Sequence, residues 1–182
     1  MFDNSLCGID EAGRGPIAGP LVYAGVKLHQ NIEGLGDSKS LSEKKRLLLF
    51  SAIKEYADVS IVITAAEKID EHGLSECIKM SLKQIMQEQD TDNFLFDGNS
   101  SYGFDNLNTM VKADTKVAQV SAASIIAKVT RDKIMVELSQ KYPQYGFEKH
   151  KGYGSAAHIE AIKKFGYCEI HRKSYKVKAL EE

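Results

Sequence analysis

Four carboxylates in this chain stand where apolar stretches give way to turns: Asp10 and Glu11 in GIDEAGRG, Asp97 in NFLFDG and Asp114 in TMVKADTK. Acids at strand ends are held by a rigid sheet and exposed by a loop, a common setting for catalytic groups. If those strands are neighbours the four carboxylates converge and repel. At least one then takes up a proton near neutral pH unless a cation sits among them. A divalent ion resolves the conflict. Oxygen ligands completed by water suit Mg²⁺ or Mn²⁺, and two such ions about 3.5 to 4 Å apart drive in-line phosphodiester displacement. Adjacent strand residues point to opposite faces, so Asp10 and Glu11 share a site only if the chain leaves strand geometry there, which the following Ala-Gly-Arg-Gly permits.

Other acids read differently. Ile-Asp-Glu recurs at residues 69–71, but its flanks in EKIDEHGLS are polar and no strand closely precedes it, so that copy reads as surface charge on a helix or turn. Asp132 follows Lys128 by four residues in a helical pattern, which suits an ion pair better than a metal ligand. Asp92 and Asp105 lie among turn residues and read as turn formers. His158 and His171 are alternatives as a general base, although His158 falls in a helix first turn.

The elements that must position these groups follow from the hydrophobic pattern. SLCGIDEA and PLVYAGVKL read as strands joined by GRGPIAG, and so as an antiparallel pair. LSEKKRLLLFSAIKEYA is an amphipathic helix with Ser42 as N-cap and Leu49, Phe50, Ile53 and Tyr56 on one face. DVSIVITAAE is a third strand, and LSECIKMSLKQIMQEQ a helix carrying Ile78, Leu82 and Ile85. Two short strands then end at Asp97 and Asp114. SAASIIAKVTRDKIMVELSQKY is the strongest helix, with Ala122, Ile125, Ile126 and Val129 inward and Ser124, Lys128 and Arg131 on another face. SAAHIEAIKKFG is capped by Ser155, striped by Ile159, Ile162 and Phe165, and stopped by Gly166. This order, β-β-α-β-α-β-β-α-α, implies an α/β fold with helices on the faces of a mixed sheet.

The bulk composition fits one globular domain over residues 1–182, with 43% hydrophobic and 27% charged residues. Cys7, Cys77 and Cys168 are widely spaced, which suggests neither a disulfide framework nor a zinc site and fits a reducing cytoplasm. No basic-flanked apolar leader and no 18-residue apolar run are present, so neither a signal peptide nor a membrane association is expected. Net charge is −1, but it is unevenly distributed. Residues 1–110 hold 10 Lys and Arg against 17 Asp and Glu, whereas residues 111–182 hold 14 against 8. Either this is uneven solvated charge or a polyanion-binding face lies beside an acidic metal cluster.

Six fragments occur in order: GIDEAGRGPIAGP, DSKSLSEKKR, FDGN, KADTKVAQVSAASIIAKVTRDK, YPQYGFEKHKGYG and HRKSY. With them the chain closely resembles the bacterial ribonuclease HII family over about residues 6–176. The resemblance implies a ribonuclease H-like fold, a five-stranded mixed sheet flanked by helices, with residues from about 141 to 182 as a C-terminal helical extension. It implies endonucleolytic cleavage of RNA paired to DNA and incision 5′ of single ribonucleotides in duplex DNA, and hence ribonucleotide and RNA-primer removal. Two Mg²⁺ or Mn²⁺ ions would be held with substrate bound.

By the same resemblance the metal-binding acids fall on Asp10, Glu11, Asp97 and Asp114. Its Gly-Arg-Gly turn falls on Gly13, Arg14 and Gly15, and its junction-sensing tyrosine on Tyr153. Glycines admit close backbone approach to the 2′-hydroxyl that distinguishes RNA. A ring at Tyr153 would stack on the neighbouring deoxyribose, whereas from the residue alone it reads as an ordinary turn tyrosine. Lys39, Lys45, Arg46, His150, Lys151, Arg172 and Lys173 are candidate phosphate contacts, each also explicable as a solvated surface charge. HRKSY departs from the HRRSF-like form of many relatives but keeps charge and aromatic character. The tail KVKALEE shows no sliding-clamp-binding box, and a monomer is the default expectation.

Overall fold

The computed structural model describes residues 3–36 and 41–180. Five strands form one sheet in the order β3-β2-β1-β4-β5: β1 (Cys7–Ala12), β2 (Leu21–Leu28), β3 (Ala57–Thr64), β4 (Phe94–Asp97) and β5 (Leu107–Met110). β1 lies at the centre. It pairs antiparallel with β2, placing Asp10 opposite Ala24, and parallel with β4, placing Ile9 opposite Phe96. β2 and β3 are antiparallel, β4 and β5 parallel, so the sheet is mixed as expected.

Alternation along the strands supplies two apolar faces. On one, Cys7, Ile9, Tyr23, Phe94 and Phe96 pack against Ile78, Leu82 and Ile85 of α3 (Leu74–Glu88). On the other, Val22, Ala24 and Val26 meet Leu49 and Ile53 of α1 (Glu43–Tyr56) and Ala122, Ile125 and Ile126 of α4 (Ala118–Lys141). Ser42 caps α1 by accepting from the Lys45 amide at 3.3 Å. α4 rides directly on β1: a Cβ at Gly8 would lie 2.3 Å from the backbone of Gln119 and Val120. That close approach brings the α4 N-terminal half beside the acidic end of β1.

A third apolar cluster joins Ile17 and Ala18 to Met135, Tyr145, Phe147, Ile159 and Ile162. Through it the segment after Lys141, with α5 (Phe147–His150) and α6 (Ala156–Phe165), packs against the β1–β2 connection. Ser155 caps α6 and Gly166 closes it, as the sequence predicts. Among the described residues no helix is long and apolar enough to cross a membrane.

Several local expectations are corrected. A seven-residue helix, α2 (Ala66–His72), precedes α3, and the second Ile-Asp-Glu lies in it. There Ile69 is buried, and Asp70 accepts from the Lys173 and Ser174 amides at 2.9 and 3.0 Å, tying down the C-terminal segment. Only Glu71 behaves as surface charge, paired with Lys68. Tyr56 and Phe165, placed on apolar stripes, are exposed because each ends its helix where the chain turns away. Asp114 is not at a strand end: β5 stops at Met110, and Asp114 sits in a 3-10 turn, Ala113–Thr115, entered through left-handed Lys112.

Candidate active site

The sheet brings Asp10 and Asp97 to the carboxyl ends of adjacent parallel strands, and the turn before α4 folds Asp114 over them. One carboxylate oxygen from each of the three lies within 4.8 Å of the others. Asp10 and Asp114 are buried and Asp97 half-buried. Hydrogen bonds fix their orientation. Asp97 accepts from the Lys112 amide at 2.9 Å and from the Asp114 amide at 3.3 Å, so the acid on β4 itself shapes the turn that presents Asp114. Asp10 accepts from the Glu11 amide at 2.7 Å and from the Ser124 hydroxyl on α4.

Burial, followed by the charges of Glu11 and Asp97, raises the Asp10 carboxyl well above the ordinary range, against the pull of its hydrogen bonds. Three hard oxygen donors converging at a buried, charge-crowded point fit a divalent cation, and a hard one. Glu11 reaches this cleft differently. β1 keeps strand geometry through Ala12, contrary to the expected break, so Glu11 projects from the opposite face. It accepts from Arg14 Nη1 at 3.2 Å and lines the same cleft as the three aspartates, Ser124 and Lys112.

Beside the acids, the Gly13–Pro20 connection is stitched to the Lys151–Tyr153 turn. The Ile17 and Ala18 amides both donate to the Gly152 carbonyl, at 3.0 and 3.2 Å. Arg131 of α4 donates to Pro20, Ala18 and Lys151 carbonyls at 2.9 to 3.1 Å. Gly13 has φ of +103°, and a Cβ there would strike Arg131 Nε at 2.3 Å, so a side chain is excluded on both counts. A Cβ on Gly15 would find only the Tyr153 ring, 4.0 Å away, leaving an open shelf between them. The Tyr153 ring is half exposed, with the Arg131 guanidinium 5.9 Å from its centroid.

The basic residues divide. Lys45 and Lys173 are exposed and Lys151 half-buried. Arg46 donates to the Leu41 carbonyl, while Lys39 lies outside the described residues. Arg172 is corrected: only 1% exposed, it donates twice to the Gly19 carbonyl and once to that of Arg14, so its fork holds the loop from beneath and cannot meet a phosphate. His150 is also committed internally, with Nε2 2.8 Å from the Tyr145 carbonyl and Nδ1 accepting from the Gly152 amide. Asp132 pairs with Lys128 at 2.8 Å, as expected. Neither His158 nor His171 lines the acidic cleft; they are buried and bonded to one another.

Two further side chains support this cleft. Ser124 and Arg131 were placed on a separate face of α4, yet both are buried, one on Asp10 and one under the glycine turn. Their seven-residue spacing puts them on one helix face, but nothing in the sequence marks that face as buried.

Comparison with known proteins is consistent across sequence and structure. The family model for ribonuclease HII matches residues 7–178. The ribonuclease HII of Sulfurovum sp. (strain NBC37-1) is 56% identical, covering 97% of this chain and 94% of its own length. That of Aliarcobacter butzleri (strain RM4018) is 57% identical, covering 98% and 94%. Among solved structures, ribonuclease HII of Archaeoglobus fulgidus, determined in complex with PCNA, has a TM-score of 0.85 at 27% identity and covers 96% of both chains. The ribonuclease H2 of Pyrococcus horikoshii OT3 has a TM-score of 0.75 at 30% identity, covering 94% and 93%.

Proposed function

Because this chain belongs to the ribonuclease HII family, divalent-metal-dependent endonucleases that cut the RNA strand of RNA/DNA hybrids, we propose a specific division of labour among its residues. Asp10, Asp97 and Asp114 hold the cation, and Glu11 serves it from the far side of the cleft. The convergence of three carboxylates at the end of the central strand carries this reading. Divalent ions bound there, Mg²⁺ or Mn²⁺, supply Lewis-acid polarisation of the scissile phosphate and an activated water at neutral pH.

The chain's own groups do the rest. Ser124 and the Lys112 amide keep Asp10 and Asp97 in place without reorganisation as charge builds. Gly13, Arg14 and Gly15 offer main-chain groups to the 2′-hydroxyl, and Tyr153 occupies the adjoining sugar position, selecting a lone ribonucleotide next to DNA. The 2′-hydroxyl is thus a recognition element, and water is the nucleophile, leaving a 5′-phosphate and a 3′-hydroxyl. Lys45, Lys151 and Lys173 are the phosphate contacts that position the duplex. The C-terminal segment acts with the sheet as one catalytic unit, since it supplies Tyr153. A cytoplasmic location accords with cysteines that all remain free.

The test is incision of a labelled DNA duplex carrying one ribonucleotide, beside all-DNA and all-RNA duplexes and a continuous hybrid, in Mg²⁺, Mn²⁺ and EDTA. Metal-dependent incision 5′ of the ribonucleotide with the all-DNA and all-RNA controls intact supports the whole reading. Cutting of the hybrid alone would remove the roles given to the glycine turn and Tyr153 while keeping the metal site.

A further inference from the structure

Beneath the Tyr153 turn lies a cluster that the cleavage chemistry does not use. His158 and His171 are 0% and 1% exposed, and their Nε2 atoms are 3.0 Å apart. Their outer nitrogens are each bound to main chain, which fixes where the protons sit. His158 Nδ1 is 2.8 Å from the Tyr153 carbonyl, an acceptor only, so His158 carries its hydrogen on Nδ1. The Cys168 amide, a donor only, points at His171 Nδ1 from 2.9 Å, so that nitrogen is bare.

One neutral arrangement satisfies both ends. His171 holds its hydrogen on Nε2 and donates it to the bare Nε2 of His158. The result is a directed chain: Cys168 amide to His171, His171 to His158, His158 to the Tyr153 carbonyl. A further proton would set two N–H groups face to face across 3.0 Å, a separation too short to admit a water between them. Burial, the larger cause for both, holds the imidazoles below the ordinary histidine range, His171 at about 4 with its neighbour adding to the effect. His150 stacks on His158 with centroids 4.4 Å apart and binds the Gly152 amide, fixing the same turn from a second side.

We propose that His158 and His171 are positioning residues that set where the Tyr153 ring stands over Gly15, and through it the enzyme's preference for a lone ribonucleotide over a continuous hybrid. This assigns the pair a role other than general base, and it rests on the reading of Tyr153 given above. The geometry carries it in three particulars: the chain terminates on the carbonyl of Tyr153 itself, that residue's ring is half exposed beside the open shelf at Gly15, and neither imidazole reaches the acids.

Two measurements test it. Long-range ¹H–¹⁵N correlation of the imidazoles at neutral pH should find His158 in the Nδ1–H form and His171 in the Nε2–H form; the opposite tautomer at His158, or a charged ring in either, overturns the proposal. In kinetics, His158→Asn keeps an amide donor near the Nδ1 position but loses the Nε2 that accepts from His171, and should retain more of the single-ribonucleotide preference than a variant with no donor. His158→Leu removes the donor and should lower that preference about tenfold or more, a cost that misplacement of about an ångström readily produces. Equal loss on both substrates, or a preference that survives His158→Leu, overturns it. Tyr153→Ala run alongside separates the failures. If it leaves the preference intact, the reading of Tyr153 falls; if it abolishes the preference while His158→Leu does not, that reading stands and the histidine chain is excluded.

Discussion

Asp10 carries an electrostatic conflict, a buried carboxylate raised by its burial and by the nearby charges of Glu11 and Asp97 at the end of β1. Its folded-state value is raised, so the folded protein binds a proton that the unfolded chain has already released. In EDTA, stability should therefore increase as pH falls through the raised value towards the ordinary carboxylate value, and carry the full penalty above it. Asp10→Asn should lose this component, melt higher than the parent in EDTA near neutrality, and gain less on adding Mg²⁺; a parent and variant with parallel pH profiles would remove Asp10 from the conflict. Asp97→Asn should still bind hybrid but lose cleavage by more than about a hundredfold, the upper range for groups that merely support a metal ligand, as read in single-turnover assays. The acids were legible because each follows an apolar run directly or by a few residues. Ser124 and Arg131 were not, because a buried polar residue on a helix leaves the same trace in sequence as one turned to water.

At the scale of elements, the site depends on how closely α4 lies on β1. Gly8→Ala would drive a methyl into the Gln119 backbone, which cannot swing aside as a side chain can. The expected cost is about 1 to 3 kcal/mol in urea denaturation, with cleavage falling more than stability alone explains because Ser124 shifts from Asp10. Wild-type activity in a folded Gly8→Ala protein would show that this approach does not position the site. Long helices, the periodic α3 and the largely buried α4, could be read from the chain, as could the capping serines of α1 and α6. What stayed hidden was short or set by tertiary contacts. α2 spans seven residues, too few for a persistent period, and the turn holding Asp114 needs a left-handed lysine that local sequence does not announce.

Over the whole molecule, the acidic part of the sequence supplies Asp10, Glu11 and Asp97 to the cleft, while the basic part, residues 111–182, supplies Asp114 together with Lys151 and Lys173. Hybrid affinity should fall linearly in log–log form with salt. Lys173→Ala should weaken binding alike for all sequences and reduce that slope by about one, whereas Arg172→Ala should cost stability, because three hydrogen bonds to the Gly19 and Arg14 carbonyls disappear from a buried site. Fluorescence anisotropy across a salt series separates the two, and an unchanged slope for Lys173→Ala would remove it from the phosphate contacts. That contrast between neighbours was invisible in HRKSY, where both read as basic.

The central place of β1 also has a consequence in time. β1 is made before its partners: it finds its antiparallel partner, β2, at once, but its parallel partner, β4, only after about 66 further residues, and the Asp114 turn later still. At ordinary synthesis rates Asp10 and Asp114 emerge roughly 5 to 20 s apart. Throughout that interval the nascent chain lacks an assembled metal site, so the metal chemistry waits at least until Asp114 has emerged and folded over β1 and β4.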